Sequence, residues 1–577
     1  MFKDDNQLDD FFGLKPADRD KFSRDTKINF KRKKFKEILL LVPQLLSKKE
    51  RHLILLFSAV IIFSLIAIPF AAYRHFTEAA PDYGGSFVEG VVGEPRYVNP
   101  LLSRTNDADR DLVSLIYSGL MKYNEEGKLI PDLIKSYEVS SDGLNYTIYL
   151  KENARWHDGI NITADDVIFT IQTAQNPDYG SPERLNWQGV EIERVGDYVL
   201  IFKLKNKYAQ FLNNLTIKIL PKHLWQDIKP INFAFSELNL KPVGSGPYKF
   251  IKLKKDKNGR IISYKLTANK SYHEGRPFID EIEIFFFNSE DELIESYNKN
   301  DLDSMGFVSS KNLKKVKFKQ RLNMHQLKIP RYFAVFFNQN QSKTLSDKNV
   351  RLALNYGTDK NALISKLLEG NGITANSPLG EEFSESKESL DKYPYDVEKA
   401  KELLAGKEKI SLKLSTSSWP ELTEAANLLK EQWAQIGIEV HVEVMQTPEL
   451  QQVIRERNYE MLLFGEILTP DPDPFSLWHS SQKRDPGLNL ALYDNKTADT
   501  LLEEARLLLS PTERSKKYES FQKTLIEDVP AVFLYNPYYL YPQTKQIKGA
   551  ETKIISMPSD RFANINKWYM ETKRVLK

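Results

Sequence analysis

The pattern of apolar and polar positions sets one segment of this chain apart from all others. Leu53 to Tyr73 is an unbroken apolar run with no charged residue inside it. About 20 apolar residues rising about 1.5 Å each match a hydrocarbon core of about 30 Å. The run predicts one membrane-spanning helix, with an anchor at 51–75 and Pro69 tolerated near its far end. A buried core helix fits the length and the basic flank poorly. A cleaved signal peptide, cut near Ala79-Ala80, would have an apolar core of about 7–15 residues close to the N-terminus.

Past residue 86 the periodicity becomes that of a soluble body. Asn145 to Leu150 alternates like a half-buried strand behind the hairpin signal Asp142-Gly143. Thr163 to Ala174 reads as a helix, with Thr163 as N-cap and Asp165 and Asp166 in the first turn. Further strands are predicted at 197–204, 264–266, 281–287, 411–415 and 438–444. Helices are predicted at 347–368, 420–437, 497–509 and 511–529. The mixture predicts an α/β chain with mixed sheets. Residues 76–86 read as a linker, 36–46 as a short interfacial helix and 1–26 as a polar segment without regular structure.

Charge predicts orientation. Lys27, Lys31, Arg32, Lys33, Lys34, Lys36, Lys48, Lys49 and Arg51 precede the run. Arg74 and Arg96 follow it among Glu78, Asp82, Glu89 and Glu94. Cations flanking a span stay cytoplasmic. Residues 1–50 are therefore expected as a basic cytoplasmic tail of a single-pass cell-membrane protein, with the body extracellular or periplasmic. A net charge of +3 over 577 residues gives no nucleic-acid footprint. With no cysteine, a lipidated cysteine anchor, disulfides, thiol catalysis and Cys-based metal sites are all excluded.

Catalytic signals are sparse. The sequence has no His-Glu-x-x-His, Gly-x-Ser-x-Gly, Walker or dinucleotide motif. His157 sits in Trp156-His157-Asp158-Gly159, whose Asp-Gly marks a tight turn. Asp471 and Asp473 form a D-x-D stiffened by Pro470, Pro472 and Pro474. A cation-binding enzyme loop and a ligand-cleft or hinge loop both fit that pattern. With no supporting motif, no catalytic residue, metal or cofactor is expected, and the chain reads as a non-enzyme.

Several motifs recur in a fixed order: Gly93-Glu-Pro95 through Asn99-Pro100-Leu101-Leu102-Ser103, Ile116-Tyr117-Ser-Gly119-Leu120, Trp156-His157-Asp158-Gly159 with Thr163-Ala-Asp165-Asp166-Val167, Leu220-Pro221-Lys222-His223, Gly244-Ser-Gly246-Pro247-Tyr248 and Asp347-Lys-Asn-Val350-Arg351. In this order they resemble family 5 of the bacterial extracellular solute-binding proteins, which serve oligopeptide and dipeptide ABC importers. The resemblance implies a two-lobed periplasmic-binding-protein-like fold (class II type, cluster C) with an extra subdomain and closure by a hinge. Carried over, lobe I is 87–335 with the subdomain near 120–235, lobe II is 336–534, and 535–577 returns to lobe I. Tyr332–Asn338 and Phe533–Asn536 would be the crossings. The implied function is a membrane-anchored receptor that delivers peptides to an ABC permease. A non-peptide solute or a signalling role is the alternative. Implied ligand-binding residues are Ser103, Tyr117, Asn338, Gly465, Glu466, Asp471, Asp473, Trp478 and Asn489. The family's amine-binding aspartate falls on Pro470, so Glu466 or Asp471 is expected in its place, in a monomeric ectodomain.

Overall fold

The computed structural model describes residues 47–380 and 390–577. The expectations for the tail before residue 47, including the 36–46 helix, lie outside the described residues. Two compact units are present, one comprising the chain up to Ala80 with Lys573–Lys577, the other Pro81–Thr572.

In the first unit the apolar run lies within the helix Lys48–Phe76. Ser47 caps it: its Oγ accepts from the Glu50 N–H at 3.4 Å, and the Glu50 carboxylate accepts from the Ser47 N–H at 2.8 Å. Its apolar side chains are exposed, Leu55 by 68 % and Phe63 by 72 %. A core helix would bury such residues against a partner. The predicted linker departs from expectation. Thr77–Pro81 is a strand paired with Thr572–Leu576. Its partner strand lies far along the sequence, where no local pattern announces it.

The second unit contains three larger sheets. A five-stranded sheet orders Ser304–Met305, Ser86–Val92, Glu281–Phe287, Ile261–Ala268 and Tyr248–Lys255. A four-stranded antiparallel sheet orders Ile134–Val139, Asn145–Leu150, Val199–Leu204 and Val190–Gly196. One core beneath them contains Phe87, Trp156, Trp187, Trp225, Tyr248 and Trp568. The predicted helix after Thr163 is Ala164–Gln175, entered by a capping box with Asp166.

The six-stranded sheet orders Gly372–Thr374, Ala531–Pro537, Arg331–Phe337, Met461–Ile467, Ile410–Ser417 and Ile438–Met445. Tyr332, Ala334 and Phe336 enter one core while Val335 and Phe337 enter another. A strand buried on both faces belongs in the middle of a sheet. Accordingly the two segments expected as crossings pair with each other inside this sheet, Phe333 opposite Tyr535. The chain reaches the sheet from a two-stranded ribbon, Leu322–Leu327 with Tyr539–Thr544, through 328–330, and leaves through Tyr538. The predicted 347–368 helix divides into Lys348–Tyr356 and Lys360–Leu368, because Asp359 caps the second by accepting from the Ala362 N–H at 2.9 Å.

Candidate functional site

The strand Met461–Ile467 runs antiparallel to Arg331–Phe337 along its full length, from Phe337 opposite Met461 to Arg331 opposite Ile467. On its other side Ile410–Ser417 pairs only with Met461–Leu463. From Phe464 to Ile467 that edge has no strand beside it among the described residues. Gly465 is placed there for a steric reason: a Cβ would meet the Phe333 ring at 2.7 Å. Phe333 in turn packs on Tyr535, ring centroids 5.3 Å apart. An open edge offers backbone groups to an extended chain.

Arg331 opens the strand opposite Ile467. Its Nη2 donates to the Pro537 carbonyl at 3.2 Å, and its buried Nε–H has no partner. Burial lowers its pKa to about 10, with only Tyr535 and Tyr539 opposing. It forms no ion pair among the described residues. Sequence reasoning missed it, although a lone cation opening the apolar run Tyr332–Phe337 was the available signal.

The loop after the edge is tied down at once, the Leu468 N–H donating to the Pro330 carbonyl at 2.7 Å. Both of its aspartates are engaged. Arg514 Nη2 donates to Asp471 Oδ1 and Oδ2 at 3.0 and 2.8 Å. Arg506 donates to Asp473 Oδ2 from Nε at 2.9 Å and Nη2 at 2.7 Å. Burial raises the Asp471 pKa against the opposing Arg514 charge. Two guanidinium groups on this pair are the opposite of a cation site.

A distant segment closes over this loop. The Ala209 N–H donates to the Arg506 carbonyl at 2.9 Å. Gln210 Nε2 donates to the Tyr518 hydroxyl at 2.7 Å and the Pro472 carbonyl at 3.4 Å, and Asn213 Nδ2 donates to the Asp471 carbonyl at 3.3 Å. Neither this segment nor Arg506, Arg514 and Tyr518 carries a local pattern that would have marked it.

Glu466 turns away from the open edge. It shares its side of the strand with Leu462, on the face where Tyr332, Phe533 and Trp478 pack. The Tyr332 hydroxyl donates to Glu466 Oε2, and Oε1 is buried without a partner. Burial pushes its pKa up to about 8. The structure therefore places Glu466 on the buried face beside Tyr332, where burial opposes its ionised form.

Three other expected residues serve the fold. Trp478 is fully buried against Phe336, Tyr493 and Phe533. Asn489 donates to the Trp478, His479 and Tyr493 carbonyls and accepts from the Tyr493 N–H. Asn338 caps the opposite end of its strand from Arg331, donating to the Arg457 carbonyl at 2.9 Å. Ser103 opens the short turn Ser103–Thr105, and Tyr117 follows the helix Asp107–Ile116 as a buried core residue. Neither has a hydrogen bond to 465–474 among the described residues. Thus Asp471 and Asp473 share one arginine-held loop, Gly465 lies on the open edge before it, and the other expected residues are placed elsewhere.

The remaining candidates for chemistry are structural. His157 Nδ1 accepts from the Gly244 N–H at 3.2 Å and its Nε2–H donates to the Gly246 carbonyl at 3.1 Å. Burial lowers its pKa to about 4, fixing it as a neutral turn residue. Asp132, His273 and Glu274 have metal-like spacing. Lys122 pairs with Glu274, and Lys218 lies 3.9 Å from Asp132. Burial alone would raise Asp132, but the His273 hydrogen bond and these lysines hold it below the usual carboxylate range.

Comparison with known proteins matches this architecture. A family model described as bacterial extracellular solute-binding proteins, family 5 Middle, matches residues 128–487. The chain is 31 % identical over 520 residues to the oligopeptide-binding protein AppA of Bacillus subtilis, covering 85 % of this chain and 92 % of that protein. The solved structure of Bacillus subtilis AppA in complex with a nonapeptide aligns with a TM-score of 0.66 at 29 % identity, over 85 % of this chain and 100 % of that one. NikZ from Campylobacter jejuni in complex with Ni(L-His) aligns with a TM-score of 0.67 at 28 % identity, over 84 % and 99 %.

Proposed function

Because the chain belongs to family 5 of the bacterial extracellular solute-binding proteins, we propose that it captures peptides outside the cell and passes them to an ABC permease. The ligand would lie between two lobes meeting at the ribbon. One lobe would hold the five- and four-stranded sheets, with the four-stranded sheet as the extra subdomain. The other would be built on the six-stranded sheet. The observation that carries the reading is the open Phe464–Ile467 edge, in a chain that covers 92 % of an oligopeptide-binding protein. An extended peptide adding to such an edge gains backbone hydrogen bonds that depend little on its sequence. Native mass spectrometry of the full chain, released from mild detergent, tests it. Co-purifying masses that fragment as peptides are expected. No retained peptide after loading with a broad peptide mixture rules it out.

The helix Lys48–Phe76 would tether the receptor, with the basic flank cytoplasmic. The support is a long apolar helix whose apolar side chains are largely exposed among the described residues. Proteolysis of intact cells should remove the body and spare the tail.

The loop favours a second reading of the ligand. With Asp471 and Asp473 held by arginines, and Glu466 buried, a ligand without a free α-amine fits as well as one with it. N-acetylation of a bound peptide is expected to leave its affinity within about threefold, whereas losing a charged hydrogen bond costs roughly tenfold or more.

A further inference from the structure

The exit of the apolar helix is built from both ends of the sequence. Arg574 Nη2 donates to the Arg74 carbonyl at 3.2 Å and the Thr77 carbonyl at 2.9 Å, its Nε donates to Thr77 Oγ1 at 2.8 Å, and its guanidinium lies over the Tyr73 ring. The Lys577 N–H donates to the Phe76 carbonyl at 3.0 Å. Carbonyls left over at the helix end are thereby satisfied by Arg574 of the strand Thr572–Leu576 and by Lys577 just after it. This pairing brings Arg74, Arg574 and Lys577 to the helix end, with Glu78 on the paired strand, while Lys573 lies farther along the ribbon toward Asp82 and Glu571. Tyr73, Phe76 and Leu576 stand exposed beside them, Leu576 by 80 %.

Aromatic side chains and cations at the end of an apolar helix match the layer where acyl chains give way to headgroups. We infer that the Thr77–Pro81/Thr572–Leu576 ribbon is an anionic-phospholipid binding surface. Tyr73, Phe76 and Leu576 enter the acyl boundary, and Arg74 and Lys577 contact headgroup phosphates. Arg574 holds the ribbon onto the helix end and presents the other cations. The inference rests on the membrane-tether reading. It adds that the C-terminal strand is part of the anchor and that the anchor distinguishes between lipids.

The test uses the full chain in nanodiscs of phosphatidylcholine alone or with roughly a third phosphatidylglycerol, where each cation near an anionic surface contributes about fivefold in binding. Hydrogen exchange of residues 572–577 is the readout. Exchange at least about fivefold slower with phosphatidylglycerol is expected, with the difference lost at high salt and in the Arg74→Gln/Lys577→Gln variant. Neither substitution removes a backbone bond of the ribbon. Equal exchange in both lipids, or an effect that survives the double substitution, overturns the inference while the tether stands. Release of the chain from native membranes by alkaline carbonate overturns the tether and the inference together.

Discussion

Gln210 and Tyr518 lie 308 positions apart and meet at 2.7 Å, the Gln210 amide donating to the phenol. Around this bond the Tyr208–Asn213 stretch meets the Asp471–Asp473 loop through two further hydrogen bonds and the Arg506 carbonyl through a third. In the proposed receptor these bonds join the extra subdomain to the lobe that carries the open edge. If that receptor closes by a hinge, these bonds would form as the two approach and would act as a latch on closure.

Gln210→Leu keeps the volume and removes two of these donations. A typical net hydrogen bond contributes about 1 kcal/mol, so losing one strong and one long bond is expected to lower peptide affinity roughly five- to thirtyfold. The loss should appear in the off-rate, with the on-rate nearly unchanged. Surface plasmon resonance separates the two. An unchanged off-rate would mean that the contact is present in the open state as well.

Glu466 should make stability depend on pH. Burial lifts its pKa from 4.5 to about 8. Between those values the folded chain holds a proton that the unfolded chain has released, so stability falls as pH rises through the window and levels off above it. Each pKa unit is worth about 1.4 kcal/mol, so the cost reaches several kcal/mol. Glu466→Gln removes the ionisation and keeps an acceptor for Tyr332. Melting scans should show little change near pH 5 and a clear rise near pH 9. Parallel profiles for the two proteins would place the carboxylate ionised in the fold.

Local physics made much of this fold legible. Asn145–Leu150 alternates and is a strand at those bounds, and Thr163 and Asp166 announce the helix they cap. The motif order identifies the family, because it samples turns along the whole body. Relationships set by distant residues were not legible. Asp471 and Asp473 read as free acids because Arg514 and Arg506 are 43 and 33 positions away. Glu466 read as a cleft acid because nothing in its neighbours states which face of the strand meets Trp478. The 76–86 stretch read as a linker because its strand partner begins at Thr572.

A buried ion network is expected to dominate stability in the first core. Arg561 donates to Glu89 from Nε and Nη2, and to Asp111 from Nη1 and Nη2 at 2.7 and 2.6 Å, with all three residues nearly inaccessible. Burial raises the Asp111 pKa to about 6 against the attraction of Arg561. Arg561→Met leaves two buried carboxylates without their cation, which typically costs about 3–5 kcal/mol. Asp111→Asn keeps Glu89 on Arg561 and should cost far less. Chemical denaturation of both variants checks the order, and equal losses would show that the network acts only through packing.

Arg331 is expected to trade stability for binding. Its guanidinium is charged at neutral pH, yet burial already lowers its pKa to about 10 and its Nε–H lacks an acceptor. A cation in that position destabilises the empty protein and rewards an anion that reaches it from the adjoining edge at Ile467. Arg331→Met keeps the packing stem and removes the charge. The ligand-free protein should melt higher, while affinity for a peptide with a free carboxylate falls roughly 10- to 100-fold, the value of a charge-assisted hydrogen bond. The C-terminal amide of the same peptide should bind wild type and variant alike. A variant that melts lower and binds both peptides as wild type does would assign Arg331 to the sheet and to Pro537 alone.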